Sequence, residues 1–361
     1  MFPFRWTIGE RKVLADMSDE YVIEGNWLTK ILDQLCLTPF GVIGFALLMI
    51  VPLIPYFNQE YMLRWFIVAA IMGMGSMVFD FSSGYIAVVN FGFAAFVGLG
   101  GYTSALTVIH WGIPIWMGMV LGAVVTGILG ALTGAISLRM RGMFAICLTW
   151  FIGLALMGLA FKMAWLTRGS VGLNCPYLFT SSNSSYYYWY TSLGLSFLIW
   201  FILKRTVRSH LGLAFLAIGQ NMDAAMTSGV YPTRYRIINF TISCALAGLV
   251  GGFYGHFIGV LTPNFLSTAK TIEFLVICYL GGRGSLWGGF AVAFPFIYLT
   301  EMLRSTLDKL PGINLIIYGI MLILVMVFYA GGMAQLFQQI VDEFKSNPKV
   351  RWLAALGPSQ T

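Results

Sequence analysis

The chain has 361 residues, of which 58% are apolar and only 10% charged. Soluble domains carry about 25% charged residues, so this composition excludes a fully water-covered surface and makes lipid the solvent for most of the chain. The net charge of +7 does not point to nucleic acid: no basic stretch is interleaved with aromatics, and cytoplasmic loops of membrane proteins collect Lys and Arg.

The first 37 residues carry Glu10, Asp16, Asp19, Glu20, Glu24 and Asp33, which excludes a signal peptide. Trp27, Leu28, Ile31, Leu32 and Leu35 recur at helical spacing. They predict a cytoplasmic or interfacial helix, lying on the membrane or packed on another subunit. A crossing needs about 20 apolar residues, and Thr38–Phe57 is the first such run. Further runs fall at 63–79, 86–109, 114–136, 143–165, 187–203, 237–261, 286–303 and 312–330. A shorter one at 265–281 is interrupted by Lys270 and Glu273. The expected fold is therefore all-α: a polytopic transmembrane helix bundle of about ten segments spanning 38–330, followed by a 331–361 tail. With the N-terminus inside, ten alternating crossings put fifteen of the 21 Lys and Arg residues inside. Nine would expel the basic tail, so the charge bias predicts both termini in the cytoplasm.

The five cysteines show no CxxC or Cys/His metal spacing and read as small core residues. The 41 glycines cluster. Gly122, Gly127, Gly130 and Gly134 share one helix, and Gly248, Gly251, Gly252, Gly255 and Gly259 share another. Small residues at spacings of three and four let membrane helices approach closely, or line a pore. Two Gly-rich interruptions, Phe81–Phe93 and Leu280–Phe290, each close one apolar run and open the next. Broken backbone at membrane depth must be buried in protein or face water, and paired breaks in two halves mark transport paths. An ordinary tight loop is the alternative. The intramembrane charges are few. Asp80 ends a helix as a solvated or a capping residue, and Lys270 and Glu273, one turn apart, neutralise each other.

No GxxxxGK[ST] phosphate loop and no hydrolase or kinase motif occurs. No catalytic set, metal site or cofactor is expected. The loop 204–236 carries the clearest signal. Ser209 is suited to cap a helix, Gly229 to end it and Pro232 to forbid its continuation. Between them Leu211, Phe215, Ile218, Met222 and Met226 form an apolar stripe outside the membrane. A membrane surface or a partner protein must bury it.

Within that loop Asp223-Ala224-Ala225 followed by Gly229 resembles the EAA-xxx-G loop of ABC-transporter permeases, with Asp for Glu. Over about 63–330 the chain resembles the branched-chain amino-acid ABC permeases through five ordered elements. Val89–Tyr102 (VNFGFAAFVGLGGY) is similar to their SLGHAAFxGxGAY. Leu138–Thr149 (LRMRGMFAICLT) matches LRLRGxYFAxxTL. Thr167–Leu173 (TRGSVGL) is similar to TGGxxGL, Phe240–Tyr254 (FTISCALAGLVGGFY) to FxxSAxxAGLAGALY, and Gly281–Gly289 (GGRGSLWGG) to GGxGSLxGP.

The resemblance implies a permease subunit of an ABC importer in the bacterial inner membrane, for branched-chain or other hydrophobic amino acids. Relatives carrying urea or short amides are an alternative, as is, in a different class, an ATP-independent secondary transporter or channel. The implied partners are a second homologous permease, two ATPase subunits and a periplasmic binding protein. Leu213, Phe215, Asp223, Ala224, Ala225 and Gly229 are the implied coupling residues. Asn90, Gly92, Phe93, Gly282, Arg283 and Ser285 are candidates for the translocation path. The chain departs from the pattern at Phe93, where relatives have His. It departs again at Gly219, Gln220, Met222 and Met226, where the coupling helix usually carries charges. The aromatic run Tyr186–Tyr190 reads as an interfacial belt or a contact for the binding protein.

Overall fold

The computed structural model describes residues 60–137, 142–180 and 184–306, with isolated positions at 44–52 and 319. The 1–37 extension, most of the 38–57 run, the basic turn at 138–141 (Arg139 and Arg141), the 312–330 run and the 331–361 tail lie outside these residues, as do the first and tenth expected crossings and both termini.

The described chain is a helical membrane bundle. Helix α1 (Glu60–Asp80) runs on through a π turn at Phe81–Tyr85. Then follow α2 (Phe93–Trp111), α3 (Ile115–Ser137), α4 (Met143–Lys162) and the single turn α5 (Ala164–Thr167). Helix α6 (Ser184–Val207) leads to the short α7 (His210–Gln220) and α8 (Met222–Thr227). Helices α9 (Pro232–Ile258), α10 (Thr268–Gly281) and α11 (Trp287–Thr306) complete it. Strands β1 (Leu173–Asn174) and β2 (Val260–Leu261) pair antiparallel. Among the described helices five are long and apolar enough to cross a bilayer: α1 with its π turn, α2, α3, α4 and α9. Their sequence supplies the reason, since each carries an apolar stretch of crossing length.

Helix α9 is the centre of the packing. Gly100 of α2 meets Gly248 of α9 and Gly122 of α3, and Gly251 lies against the Val97 carbonyl. Gly130 and Gly134 of α3 face Cys244 and Phe240 of α9. These stripes therefore serve close helix approach and not a pore lining. Lipid offers no hydrophobic drive for association, so backbone-to-backbone contact of this kind holds the bundle.

Three expected elements differ from what forms. The 86–109 run is helical only from Phe93, because Ala87 adopts a left-handed φ of 57° and 86–92 stays irregular. The 265–281 run begins as a 3-10 turn at Pro263–Leu266, and α10 has only 14 residues. That is about 20 Å, too short to cross alone. The expected single helix over 209–229 is two, because Asn221 turns extended and starts a new helix.

At the C-terminal end of α9, β1–β2 is pinned from three sides. Gly259 O accepts from Cys175 N at 2.8 Å, and Leu261 O from the Tyr102 hydroxyl at 3.2 Å. His256 Nδ1 lies 2.7 Å from Pro176 O, which can only accept, so Nδ1 carries the hydrogen. Nε2 then accepts from Ser104 Oγ at 2.9 Å. His256 is thus a structural tie. Burial pushes the Cys175 thiol up to about 12, which leaves it an inert packed side chain. Within 186–190, Tyr188 and Trp189 are buried, while Tyr187 and Tyr190 are exposed. Only part of that run is free to form a belt.

A β-carbon at Gly251 would overlap the Val97 carbonyl, whereas Gly158 and Gly194 have open space. Gly251→Ala is expected to cost about 1–3 kcal/mol through overpacking and to lower the melting temperature in detergent. Gly158→Ala and Gly194→Ala should leave it unchanged.

Candidate coupling and translocation site

The site is built from the two Gly-rich breaks, and the fold brings the first part of one, Phe81–Tyr85, onto the other at one end of the bundle. Asp80 closes α1 and is buried. Its Oδ1 accepts from Gly284 N at 2.7 Å, and its Oδ2 from Leu286 N at 2.9 Å. The Cys278 thiol donates to Oδ1 at 3.6 Å. Gly282, Gly284 and Leu286 all have positive φ, 101°, 83° and 55°. That curl aims the Gly284 and Leu286 amides at one anion, as in a backbone nest. Left-handed geometry at Leu286 costs about 1–2 kcal/mol, which charge-assisted bonds of about 1.5–3 kcal/mol each offset. Asp80 is therefore a buried cap, not a solvated end.

The first break is fastened to the second by further bonds. The Tyr85 hydroxyl donates to Gly284 O at 2.9 Å, and Arg283 Nε donates to Ser83 O at 2.9 Å. On the other side α9 holds the π turn. Asn239 Nδ2 donates to Phe81 O at 3.2 Å and Ser243 Oγ to Val78 O at 3.2 Å. A β-carbon on Gly84 would strike Asp80 and the Gly284 backbone, so the two breaks touch through bare backbone.

Beyond the π turn the chain climbs back into the bundle as irregular backbone. Several amides there and at the start of α2 find partners. Phe91 N donates to Thr149 Oγ1 at 3.2 Å, Gly92 N to Asn90 Oδ1 at 3.0 Å and Ala94 N to Thr271 Oγ1 at 3.1 Å. Ile86, Asn90 and Gly92 are buried, so protein covers part of this non-helical backbone, as membrane depth requires. Phe93 is fully buried between Phe79 and Phe274, edge-on to both at 5.4 and 5.3 Å. An aromatic core replaces the polar group that the resemblance would put there.

The loop 204–236 sits directly under this junction. Ser209 caps α7 by accepting from Leu211 N at 3.3 Å, and Gly229 has a φ of 82°, both as the sequence predicts. Phe215 is buried edge-on to Phe81 at 5.6 Å and to Tyr235 at 6.3 Å. Gly219 lies against the Tyr85 carbonyl with no room for a β-carbon. The stripe is thus buried by the chain itself at Phe215 and Ile218 and half-buried at Leu211 and Met222. This corrects the expectation that a membrane or a partner must bury the whole of it: α7 crosses beneath the π turn, which shares the cover with α6 and α9. Only Met226 of the stripe stays exposed. Asn221 Oδ1 accepts from Asp223 N at 3.0 Å and Ala224 N at 3.1 Å, starting α8.

The predicted residues therefore separate. Phe215 and Ala225 are buried supports, Leu213 is half-buried, and Asp223, Ala224 and Gly229 are exposed. Asn90, Gly92 and Phe93 gather around Thr149, Thr271 and Phe274. Gly282, Arg283 and Ser285 gather around Asp80 and Ser83, at the opposite end of α10. The candidates do not form one constellation. Tyr85, Thr149, Thr271, Cys278 and Asn221 were not singled out by sequence. Of these only Asn221, followed two positions on by Asp223, carries a capping signal. Lys270 and Glu273 form the expected pair, at 2.7 Å. Among the described residues no three His, Cys, Asp or Glu side chains cluster as a metal site would require.

The model of a family described as "Branched-chain amino acid transport system / permease component" matches residues 61–326, which include both breaks and the loop beneath them. The chain belongs to this family. This permease is 26% identical over 290 residues to the high-affinity branched-chain amino acid transport system permease protein LivM of Salmonella typhimurium, covering 73% of this chain and 67% of that one. It is 24% identical over the same length to LivM of Escherichia coli K12. The autoinducer 2 import system permease protein LsrC of Escherichia coli O9:H4 is 30% identical over 120 residues, 33% of each chain. No solved structure matches the chain. The permease is accordingly a multi-pass membrane protein and a transport subunit.

Asp80→Asn leaves one acceptor oxygen where two amides now point, and sets its own NH2 against the other amide. Hydrogen exchange at Gly284 and Leu286 should then quicken by about 10- to 100-fold, as expected for losing about 1.4–3 kcal/mol of a charge-assisted bond. Unchanged exchange would show that the carboxylate does not hold the break.

Proposed function

We propose that this permease is one membrane-spanning subunit of an ABC importer for branched-chain or other hydrophobic amino acids in a bacterial inner membrane. It would pair with a second, homologous permease. Two ATPase subunits would drive it, and a periplasmic binding protein would deliver the solute. The observation that carries this reading is the form of the 204–236 loop. Helix α7 is rooted in the bundle by Phe215, and α8 presents Asp223, Ala224 and Met226 to solvent. A short exposed helix on a rigid mount suits docking into a groove of another protein. The family match and the relatives' names support the solute class. The chain contains no phosphate-binding loop of its own, so the energy would come from the partners.

The mechanism follows from the chain of contacts. Movement of α8 and α7 by the ATPases would press Phe215 on Phe81. The π turn would carry Asp80 with it, and Asp80 would carry the 282–286 break through two backbone amides. Differential affinity of the two resulting states for solute would produce release.

Ala224→Trp places a bulky group on the exposed face of α8 without entering the core. It should lower ATP-driven leucine uptake at least about tenfold, corresponding to about 1.4 kcal/mol of lost docking, and leave thermal stability unchanged. ATPases should co-purify with the wild type and less with the variant. Full uptake without any co-purifying ATPase would overturn the importer reading in favour of a self-sufficient transporter.

A further inference from the structure

Lys270 stands in an unusual place. Thr271, its neighbour, accepts from Ala94 N at the very start of α2. From Ala94, α2 runs 17 more residues to Trp111, which is exposed beside exposed Trp116. Tryptophans of that kind mark the membrane–water interface. At 1.5 Å per residue, Lys270 lies about 25 Å below that rim. It therefore lies past the midplane but still within a bilayer whose apolar core is about 30 Å thick.

Its side chain is nevertheless 35% exposed. An ammonium facing hydrocarbon costs up to about 2.5–3.5 kcal/mol at the bilayer centre and less towards either face, so such groups turn to water, a cavity or a partner. Here a recess of about 180 Å³ opens beside it. At about 30 Å³ per water that is room for roughly six waters, or one small solute. One wall is apolar and stiff: Phe265 stacks on Tyr254 with centroids 4.1 Å apart, and Leu261 adjoins them. The other wall is polar, with Thr262, Asn264 and Lys270. Glu273 Oε2 holds the ammonium at 2.7 Å. An ammonium has three donors, so this bond leaves capacity for a second carboxylate. Glu273 is itself nearly buried, its side chain 9% exposed, which keeps the lysine in place.

We infer that this recess is a solute subsite on the translocation path, taking a small carboxylate-bearing molecule with an apolar side chain. Lys270 receives the carboxylate, and the Tyr254–Phe265 wall receives the side chain. The inference rests on the importer reading and gives it a specific contact.

The test is leucine uptake by the complete importer in proteoliposomes, with permeases, ATPases and binding protein. Lys270→Arg should keep most of the uptake. Lys270→Met and the neutral pair Lys270→Met with Glu273→Gln should both lose at least about tenfold, with ATPases still co-purifying. Wild-type uptake by the neutral pair would overturn the subsite, because the lysine would then serve only to neutralise Glu273. Should the neutral pair not assemble, Asn264→Trp decides, since Asn264 is exposed and the indole fills the recess. A tenfold loss supports the subsite, and normal uptake overturns it. Absence of any uptake by the wild-type assembly would instead overturn the importer reading, and this inference with it.

Discussion

A carboxylate without water needs donors, and Asp80 finds them in the backbone of a segment 204 residues further on. The Gly284 and Leu286 amides can reach it only because residues 282–286 curl through left-handed geometry, and Gly84 lets the two backbones touch. Everything at this end of the bundle is arranged around that capture. Arg283 and Tyr85 bond across the same seam, Asn239 and Ser243 tie it to α9, and α7 covers it from below. The carboxylate turns two separate interruptions into one body.

On the proposed importer reading, that body would let a helix outside the membrane act on backbone inside it. Aromatic rings in contact transmit displacement because packed cores do not compress. The route from α8 through α7 to the π turn is a sequence of packed or bonded groups, with no long side chain in it. The other end of the bundle is held independently by the β1–β2 pair, His256 and Tyr102. A motion at the Asp80 end therefore need not disturb that sheet. Between the two ends lie the irregular climb of 86–92 and the half-length α10, the parts with the least helical backbone to resist change.

Much of this was legible in the sequence. The apolar runs place the described helices, and the two breaks stand out by their glycines. Ser209 and Gly229 act as the caps their residue types suggest. The Lys270–Glu273 pair follows from spacing on one helix. What the sequence did not disclose is contact across distance. Nothing local says that Asp80 meets Leu286, or that Thr271 caps α2, since those bonds depend on how the helices pack. The stripe along α7 and α8 is legible as apolar, yet part of its cover is the π turn, which is invisible until the chain is folded. Asn221 was the missed local signal, hidden because apolar periodicity continues across it. Within 86–92 composition misleads for a related reason: apolar residues fill buried irregular backbone as readily as helix.

The central claim is that α8 and the second break move as one body. Spin labels at the exposed positions Met226 and Trp287 measure that directly by pulsed electron-spin distance measurement in the assembled transporter. Between the nucleotide-free and ATP-bound states the Met226–Trp287 distance should stay constant, while the Met226–Trp111 distance, which spans the bundle, should change. A change in the Met226–Trp287 distance on adding ATP would contradict the account.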